Sequence, residues 1–285
     1  AINIRRDGEA IIRQSSPNIV LSSITGNKPG LKVEIKAGTR NETVHVPVIL
    51  TQPGFQDKVY NTFIVGEDAD VTIIAGCGIH NDSHSSSRHD GIHEIIVRSG
   101  ARLKYIEKHY GEGSGDGKNV LNPSTVITVE KDASAELEMV QIKGVDDTIR
   151  STVAHVHEKA NLKIIERLLT QGVQRAESDI EIIIEGNGGA AQVLSRAVAQ
   201  ESSYQLFRAA LVGKTACLGH VECDAIIMDK ARIKSIPELM AEDAEAVLTH
   251  EAAIGKIAGE QLIKLMSLGL TEKEAVDAIL DGFLK

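Results

Sequence analysis

A polar turn that closes on a small residue recurs along this chain at intervals near 30 residues. Val65–Val71 (VGEDADV) is echoed by Val97–Leu103 (VRSGARL), Val129–Ala133 (VEKDA), Val156–Leu162 (VHEKANL) and Glu185–Ala190 (EGNGGA). A shorter echo is Met228–Ile233 (MDKARI). The alanines that end these turns, Ala69, Ala101, Ala133, Ala160, Ala190 and Ala231, are spaced 32, 32, 27, 30 and 41 residues apart. Self-similarity at such a period marks a solenoid, in which each repeat buries its apolar face against the next. Between the turns lie β-branched or alternating runs such as Val33–Ile35, Val44–Ile49, Val71–Ile74, Thr125–Val129 and Ile180–Ile184. The repeat carries strands and no helix. The expected fold is therefore mainly β, a right-handed parallel β-helix over residues 31–250 behind an N-terminal segment of residues 1–30. A β-sandwich would place its turns every 8–12 residues.

After residue 250 the period changes. Ile254, Ile257, Leu262, Ile263, Leu265 and Met266 form a helical face, with Gly269 as a natural stop. Thr271 and Glu274 have capping-box spacing, and Ala275, Val276, Ile279, Leu280 and Phe283 form a second apolar stripe. Residues 251–285 thus read as a two-helix segment. Helices of about 12 residues are marginal alone and must dock, either by capping the solenoid's end or by also meeting a partner.

The net charge of −9, the absence of a basic stripe and the absence of Trp argue against nucleic-acid binding. No apolar run of about 18 residues is present, so no membrane span is expected. Ala1–Arg6 shows no signal-peptide pattern, and an odd count of three cysteines fits reduced thiols. A cytoplasmic location follows as the expectation.

Three groups of residues suggest chemistry. Cys217, His220 and Cys223 have the spacing of a metal knuckle. In a strand, however, Cys217 and Cys223 would be roughly 20 Å apart, with His220 on the opposite face. Cys217 reads as a core thiol. Cys223, between Glu222 and Asp224, has neighbours unusual for a core strand, and His250-Glu251 falls where strand is expected to give way to helix. The third group is Cys77, His80, His84, His89 and His93, read as a loop leaving a strand. The glycine-rich run Gly111–Lys118 lacks the strand–loop–helix context of a phosphate cradle and reads as a flexible surface turn. No nucleotide site and no G-x-S-x-G elbow is found.

Several stretches, in matching order and spacing, resemble the SufB/SufD family of iron–sulfur cluster assembly proteins. They are Gly219–Asp224 (GHVECD), Ile236–Leu239 (IPEL), His250–Ile257 (HEAAIGKI) and Gly269–Ala275 (GLTEKEA) closing on Gly282-Phe283-Leu284. Gly76-Cys77, His89, Glu94 and Ala101–Tyr105 extend the likeness to roughly residues 60–285. The chain looks like a short form of SufB, without the large N-terminal extension of long bacterial SufB proteins. The resemblance implies a β-helix and a non-enzymatic cytoplasmic scaffold holding a transient iron–sulfur cluster. It implies that Cys223, His250 and Glu251 bind sulfur or metal, and that Cys77 receives sulfur first and passes it through the β-helix interior. It implies a homodimer or SufB/SufD-type heterodimer paired near the C-terminal ends, and a sulfur donor from a cysteine desulfurase system. Docking of a SufC-type ABC ATPase on the terminal helices is implied too, with Ile257, Leu262, Met266, Ile279 and Phe283 on the contact stripes. His109 stands about where long SufB proteins have Gln.

Cluster ligation by thiolates fits such a role, because soft sulfur ligands select these clusters. One usable thiol per chain cannot complete a cluster, whereas two chains double the set. Two alternatives stand beside this reading. One is a SufD-like structural subunit, against which Cys223 argues. The other is a β-helix enzyme acting on polysaccharide, for which four Phe, four Tyr and no Trp offer few stacking platforms.

Overall fold

The recurring turn forms one corner of each coil. Gly38, Asp68, Gly100, Asp132, Lys159 and Gly188 adopt positive φ between 53° and 72°. The residue after each (Thr39, Ala69, Ala101, Ala133, Ala160, Gly189) donates its N–H to the carbonyl three residues back. Glycine or a short polar residue suits that left-handed step, and five of the six are Gly or Asp; Lys159 adopts it with a long side chain that stays exposed to solvent. The buried residue that follows must be small because the corners stack directly on one another. Gly189, not Ala190, fills this column: a Cβ there would lie 2.8 Å from Ile184 Cγ2. Cys217 continues the column, as the bonds from Leu218 N–H to the Gly189 carbonyl and from Val247 N–H to the Cys217 carbonyl show. Ala231 belongs to the opposite corner, stacked above Ser203, which explains the irregular 41-residue interval.

The computed structural model describes all 285 residues. They form a parallel β-solenoid of about eight coils and two C-terminal helices. The strands are β1 (Ile2–Arg6), β2 (Glu9–Gln14), β3 (Ile19–Ile24), β4 (Gly30–Ile35), β5 (Arg40–Leu50), β6 (Gln56–Val65), β7 (Asp70–His80), β8 (Ser87–Val97), β9 (Arg102–Glu112), β10 (Asn119–Leu121) and β11 (Ser124–Val129). They continue as β12 (Ser134–Lys143), β13 (Asp147–Val156), β14 (Asn161–Thr170), β15 (Arg175–Ile184), β16 (Ala190–Ala199), β17 (Tyr204–Gly213), β18 (Leu218–Ile227), β19 (Arg232–Ala241) and β20 (Val247–Gly255). One sheet runs β2-β1-β5-β7-β9-β12-β14-β16-β18-β20; the other runs from β3 and β4 through the intervening strands to β19. Because β1 pairs in parallel with β5, the solenoid sheet begins within the segment expected to precede it. The antiparallel partners β2 and β3 flank its first coils.

Along most strands alternation buries every second side chain in the lumen, where 40 residues form one continuous apolar core. A second cluster of Val48, Leu50, Cys77, Ile79, Leu121 and Val145 lies apart from it. Near Cys77 the expected loop is largely strand: only residues 81–86 separate β7 from β8. His89 and His93 are buried on β8, at 5% and 7% exposure, and are not solvated loop histidines. The Gly113–Gly117 run is not a free turn. It stacks on residues 81–85, and a Cβ at Gly113, Gly115 or Gly117 would lie 2.1–2.3 Å from a carbonyl oxygen of Asn81, Ser83 or Ser85. The alternating glycines are what permit this backbone-to-backbone packing.

Helices α1 (Gly259–Ser267) and α2 (Glu272–Leu284) follow β20. The Thr271/Glu274 capping box forms as expected, and Gly269, at φ 101°, ends the first helix. The helices do not cap the solenoid. Ala275 and Leu280 are buried as α2 packs on the outer face of the first sheet at β16. The open edges of β19 and β20 stay uncovered. His250 and Glu251 lie within β20, not at a strand–helix junction.

Candidate functional site

Register decides which of the expected residues meet. On the inward face of the first sheet, one column runs Val46, Ala75, Glu107, Met139, Glu166, Ser195, Cys223. The neighbouring column runs Val48, Cys77, His109, Gln141, Leu168, Ala197, Ala225. Cys77 and Cys223 therefore point into the same lumen, five strand steps apart, or about 24 Å at ordinary strand spacing.

Cys223 is 5% exposed and lies one coil below the open end. Its Sγ is 3.0 Å from Ser235 Oγ and 3.6 Å from the Glu251 carbonyl oxygen. Burial raises its thiol pKa; Ser235 opposes the shift, and Asp224 and Glu222 add to it. His250 pairs in register with Val221, an inward position. It thus shares the lumen side with Cys223, diagonally one strand away, and is exposed because no further coil covers it. Glu251 pairs with Glu222, so its carboxylate occupies the outer face of the sheet, opposite the Cys223 thiol. Of the C-terminal trio, the fold brings Cys223 and His250 to one face and places Glu251 on the other. Cys217 is buried at its corner and His220 faces outward to Thr249 Oγ1 at 2.8 Å, so the knuckle spacing does not converge. No three His, Cys, Asp or Glu side chains of the chain come together as a metal-binding group.

Cys77 is 2% exposed. Burial, reinforced by the carboxylates of Asp57 and Glu107, pushes its thiol well above the ordinary range. Beside it begins a buried polar band that motif reading missed. Arg5 pairs with Asp57 at 3.1 Å, and Asp57 with His89 Nδ1 at 2.8 Å. His93 Nε2 and His109 Nε2 each lie 3.6 Å from Glu107. Arg150 crosses from the opposite sheet to Glu107 at 2.5 Å, with Met139 Sδ at 3.1 Å, His109 Nδ1 at 3.4 Å and Glu166 at 3.9 Å. Ser178 donates to Glu166 at 2.6 Å. Burial holds His93 at about 4 and His109 at about 3, so both are neutral at physiological pH. Burial pushes Glu107 upward, but the surrounding cationic groups outweigh it and hold the carboxyl at about 2; with the imidazoles neutral, Arg150 is its charged partner. One signal exposes this band. In β13 the inward parity set by Val156 and Ala154 continues to Thr152, Arg150 and Thr148, while Ile149 faces out at 56% exposure.

Three small interior cavities follow one another along this band. The first is bordered by Gly76, His89, His93, Glu107 and His109. The second is bordered by Met139, Arg150, Glu166 and Ser178. The third is bordered by Glu166, Ser195, Ser235 and Cys223.

On the helices, Leu262, Ile279 and Phe283 are half-buried, as is Ile257 just ahead of α1, and the exposed apolar groups gather on α1: Ile263 at 69%, Met266 at 43% and, just after it, Leu268 at 73%.

Comparison with known proteins places these features. Residues 51–283 match the model of the SUF system FeS cluster assembly SufBD core domain. An iron–sulfur cluster assembly SufBD family protein of Methanothermobacter thermautotrophicus is 30% identical over 269 residues, covering 93% of this chain and 64% of that protein. One from Archaeoglobus fulgidus is 28% identical, covering 99% and 73%. SufB of Bacillus subtilis is 27% identical, covering 78% of this chain and 48% of its own length. The match thus runs through both inward cysteines, the polar band and the terminal helices, and the chain belongs to the SufBD family of iron–sulfur cluster assembly proteins.

Proposed function

We propose that this chain is a scaffold on which sulfur and iron are assembled into a cluster, the Cys223 thiol being the acceptor at the open end of the solenoid. The observation that carries this reading is the position of Cys223, inward-facing, one strand from His250, and bordering the last of three interior cavities, the first of which is bordered by Gly76 and His109, the neighbours of Cys77. Sulfur enters as the Cys77 thiolate attacks the outer sulfur of a desulfurase-type donor's persulfide and the donor's thiolate leaves, and the polar band links that entry point to Cys223. Iron and sulfur are cargo here, not a resident cofactor.

A single chain offers one thiolate and one imidazole at that end, too few for a cluster. Two chains paired along their β19/β20 edges, or this chain paired with a SufD-type relative, double the set. Glu251, whose carboxylate lies on the outer face, stays outside that set. Incomplete ligation suits a scaffold that must release what it builds. The chain performs no catalysis of its own. An ABC-type ATPase of the SufC kind binds the exposed apolar groups of α1 and supplies the work that opens the buried site.

The test is anaerobic addition of ferrous iron and sulfide to the purified protein. Visible charge-transfer absorption in the wild type, lost in Cys223→Ser and weakened in His250→Ala, is expected. A wild type that develops no absorption, or a Cys223→Ser variant that keeps it, refutes the assignment.

A further inference from the structure

The outer side of the strand carrying Cys223 is tied to the C-terminal helix through one side chain. Glu222 and Asp224 flank Cys223 on β18 and point away from the lumen. Arg196, on the adjacent strand, reaches both: Nη2 lies 2.6 Å from Glu222 Oε1 and Nη1 2.9 Å from Asp224 Oδ2. The three side chains are 25–32% exposed, so this is a partly desolvated fork. The ring of Phe283 stacks against the same guanidinium at 5.9 Å. One strand earlier, Arg167 binds Glu138 at 2.5 Å and donates to the Lys285 carbonyl at 3.0 Å. The last turn of α2 therefore rests on two arginines, and the one nearer the open end holds the carboxylates on either side of Cys223. Glu251, the register partner of Glu222, adds a third carboxylate to that face with no cation paired to it.

We propose that Arg196 is a positioning residue that couples the seating of α2 to the exposure of Cys223. With Phe283 stacked on it, Arg196 stays over Glu222 and Asp224 and keeps the last coil closed. When α2 lifts, the guanidinium loses its stacking partner and moves off. Glu222, Asp224 and Glu251 then face one another on neighbouring strands, and their repulsion loosens β18 and β20 around the thiol. This rests on the reading of Cys223 as acceptor and of the helices as the ATPase contact, and supplies the link between them.

The experiment uses the full chain alone, alkylated anaerobically with N-ethylmaleimide, with each cysteine followed by peptide mass spectrometry. Arg196→Gln and Phe283→Ala are each expected to speed Cys223 modification about tenfold, equivalent to about 1.4 kcal/mol of easier local opening. The rate at Cys77, about 24 Å away, is expected to stay unchanged. Adding Glu222→Gln and Asp224→Asn to Arg196→Gln is expected to return the Cys223 rate toward that of the wild type. An unchanged Cys223 rate in Arg196→Gln, a parallel rise at Cys77, or failure of the neutralising pair to restore protection would each overturn the proposal. The assay involves neither cluster nor ATPase. Failure of the scaffold reading shows instead in the iron–sulfide and co-purification experiments.

Discussion

Arg150→Met tests the buried charge band, because it removes the only full positive charge facing Glu107. The two side chains are 5% and 2% exposed, so water cannot take the guanidinium's place. Removing one member of such a pair costs about 3–5 kcal/mol. Glu107 can escape part of that cost by binding a proton. Its folded pKa then rises above the unfolded value near 4.5, so the carboxyl's contribution is intact below that value and is lost as pH rises through the folded pKa. The wild type has the opposite dependence. His93 and His109 are depressed from 6.5 to about 4 and about 3. The unfolded chain therefore takes up protons below pH 6.5 before the folded chain does, and stability falls from pH 6.5 toward 4. Urea titrations followed by far-UV circular dichroism, at pH 5, 6.5 and 8, suit a chain without Trp. Arg150→Met is expected to lose about 3–5 kcal/mol at pH 8 and clearly less at pH 5. Arg150→Met with Glu107→Gln and Glu166→Gln, which neutralises both carboxyls that Arg150 faces, should regain more than half. A loss below about 1 kcal/mol at pH 8, or equal losses at pH 5 and pH 8, would refute the reasoning.

Other expectations follow from the same geometry. Ile263→Asp with Met266→Asp should abolish co-purification of a SufC-type ATPase while leaving the melting temperature unchanged, since both side chains are exposed; retained binding would move the contact elsewhere. Leu280→Ala, at a site 5% exposed, should instead cost about 2–5 kcal/mol in chemical denaturation. Gly115→Ala places a Cβ 2.2 Å from the Ser83 carbonyl oxygen, so amide exchange across residues 81–86 and 113–118 should accelerate with β14–β18 unaffected. Thr271→Ala removes the hydroxyl that accepts from the Glu274 N–H while leaving the residue 271 N–H bonded to the Glu274 carboxylate, and should lower stability by about 1 kcal/mol, read as faster amide exchange in the first turn of α2.

Much of the candidate site was hidden because the lumen's polar band has no motif. Arg150 and Glu107 are 43 residues apart in sequence and meet only because one coil brings opposite sheets face to face. The inward parity of each can be read locally, from Val156 and Ala154 or from Leu103 and Tyr105. The identity of the residue across the lumen cannot. His89 and His93 read as loop residues because Ser, Asn and Asp precede them, yet lateral pairing with β6 draws them into a strand.

The chain's own chemistry fixed the solenoid. A left-handed turn residue followed by a small buried one is a local requirement, so it leaves a periodic trace at Asp68-Ala69, Gly100-Ala101 and Asp132-Ala133. The Thr271–Glu274 box is equally local, and so was legible. Register and docking belong to tertiary structure. A one-residue shift of β20 would exchange the faces of His250 and Glu251, and only the pairing with β18 sets which imidazole or carboxylate lies on the Cys223 side. The seating of α2 on Arg196, and not over the open end, was likewise decided by packing, because an apolar helix stripe specifies that something is covered and not what.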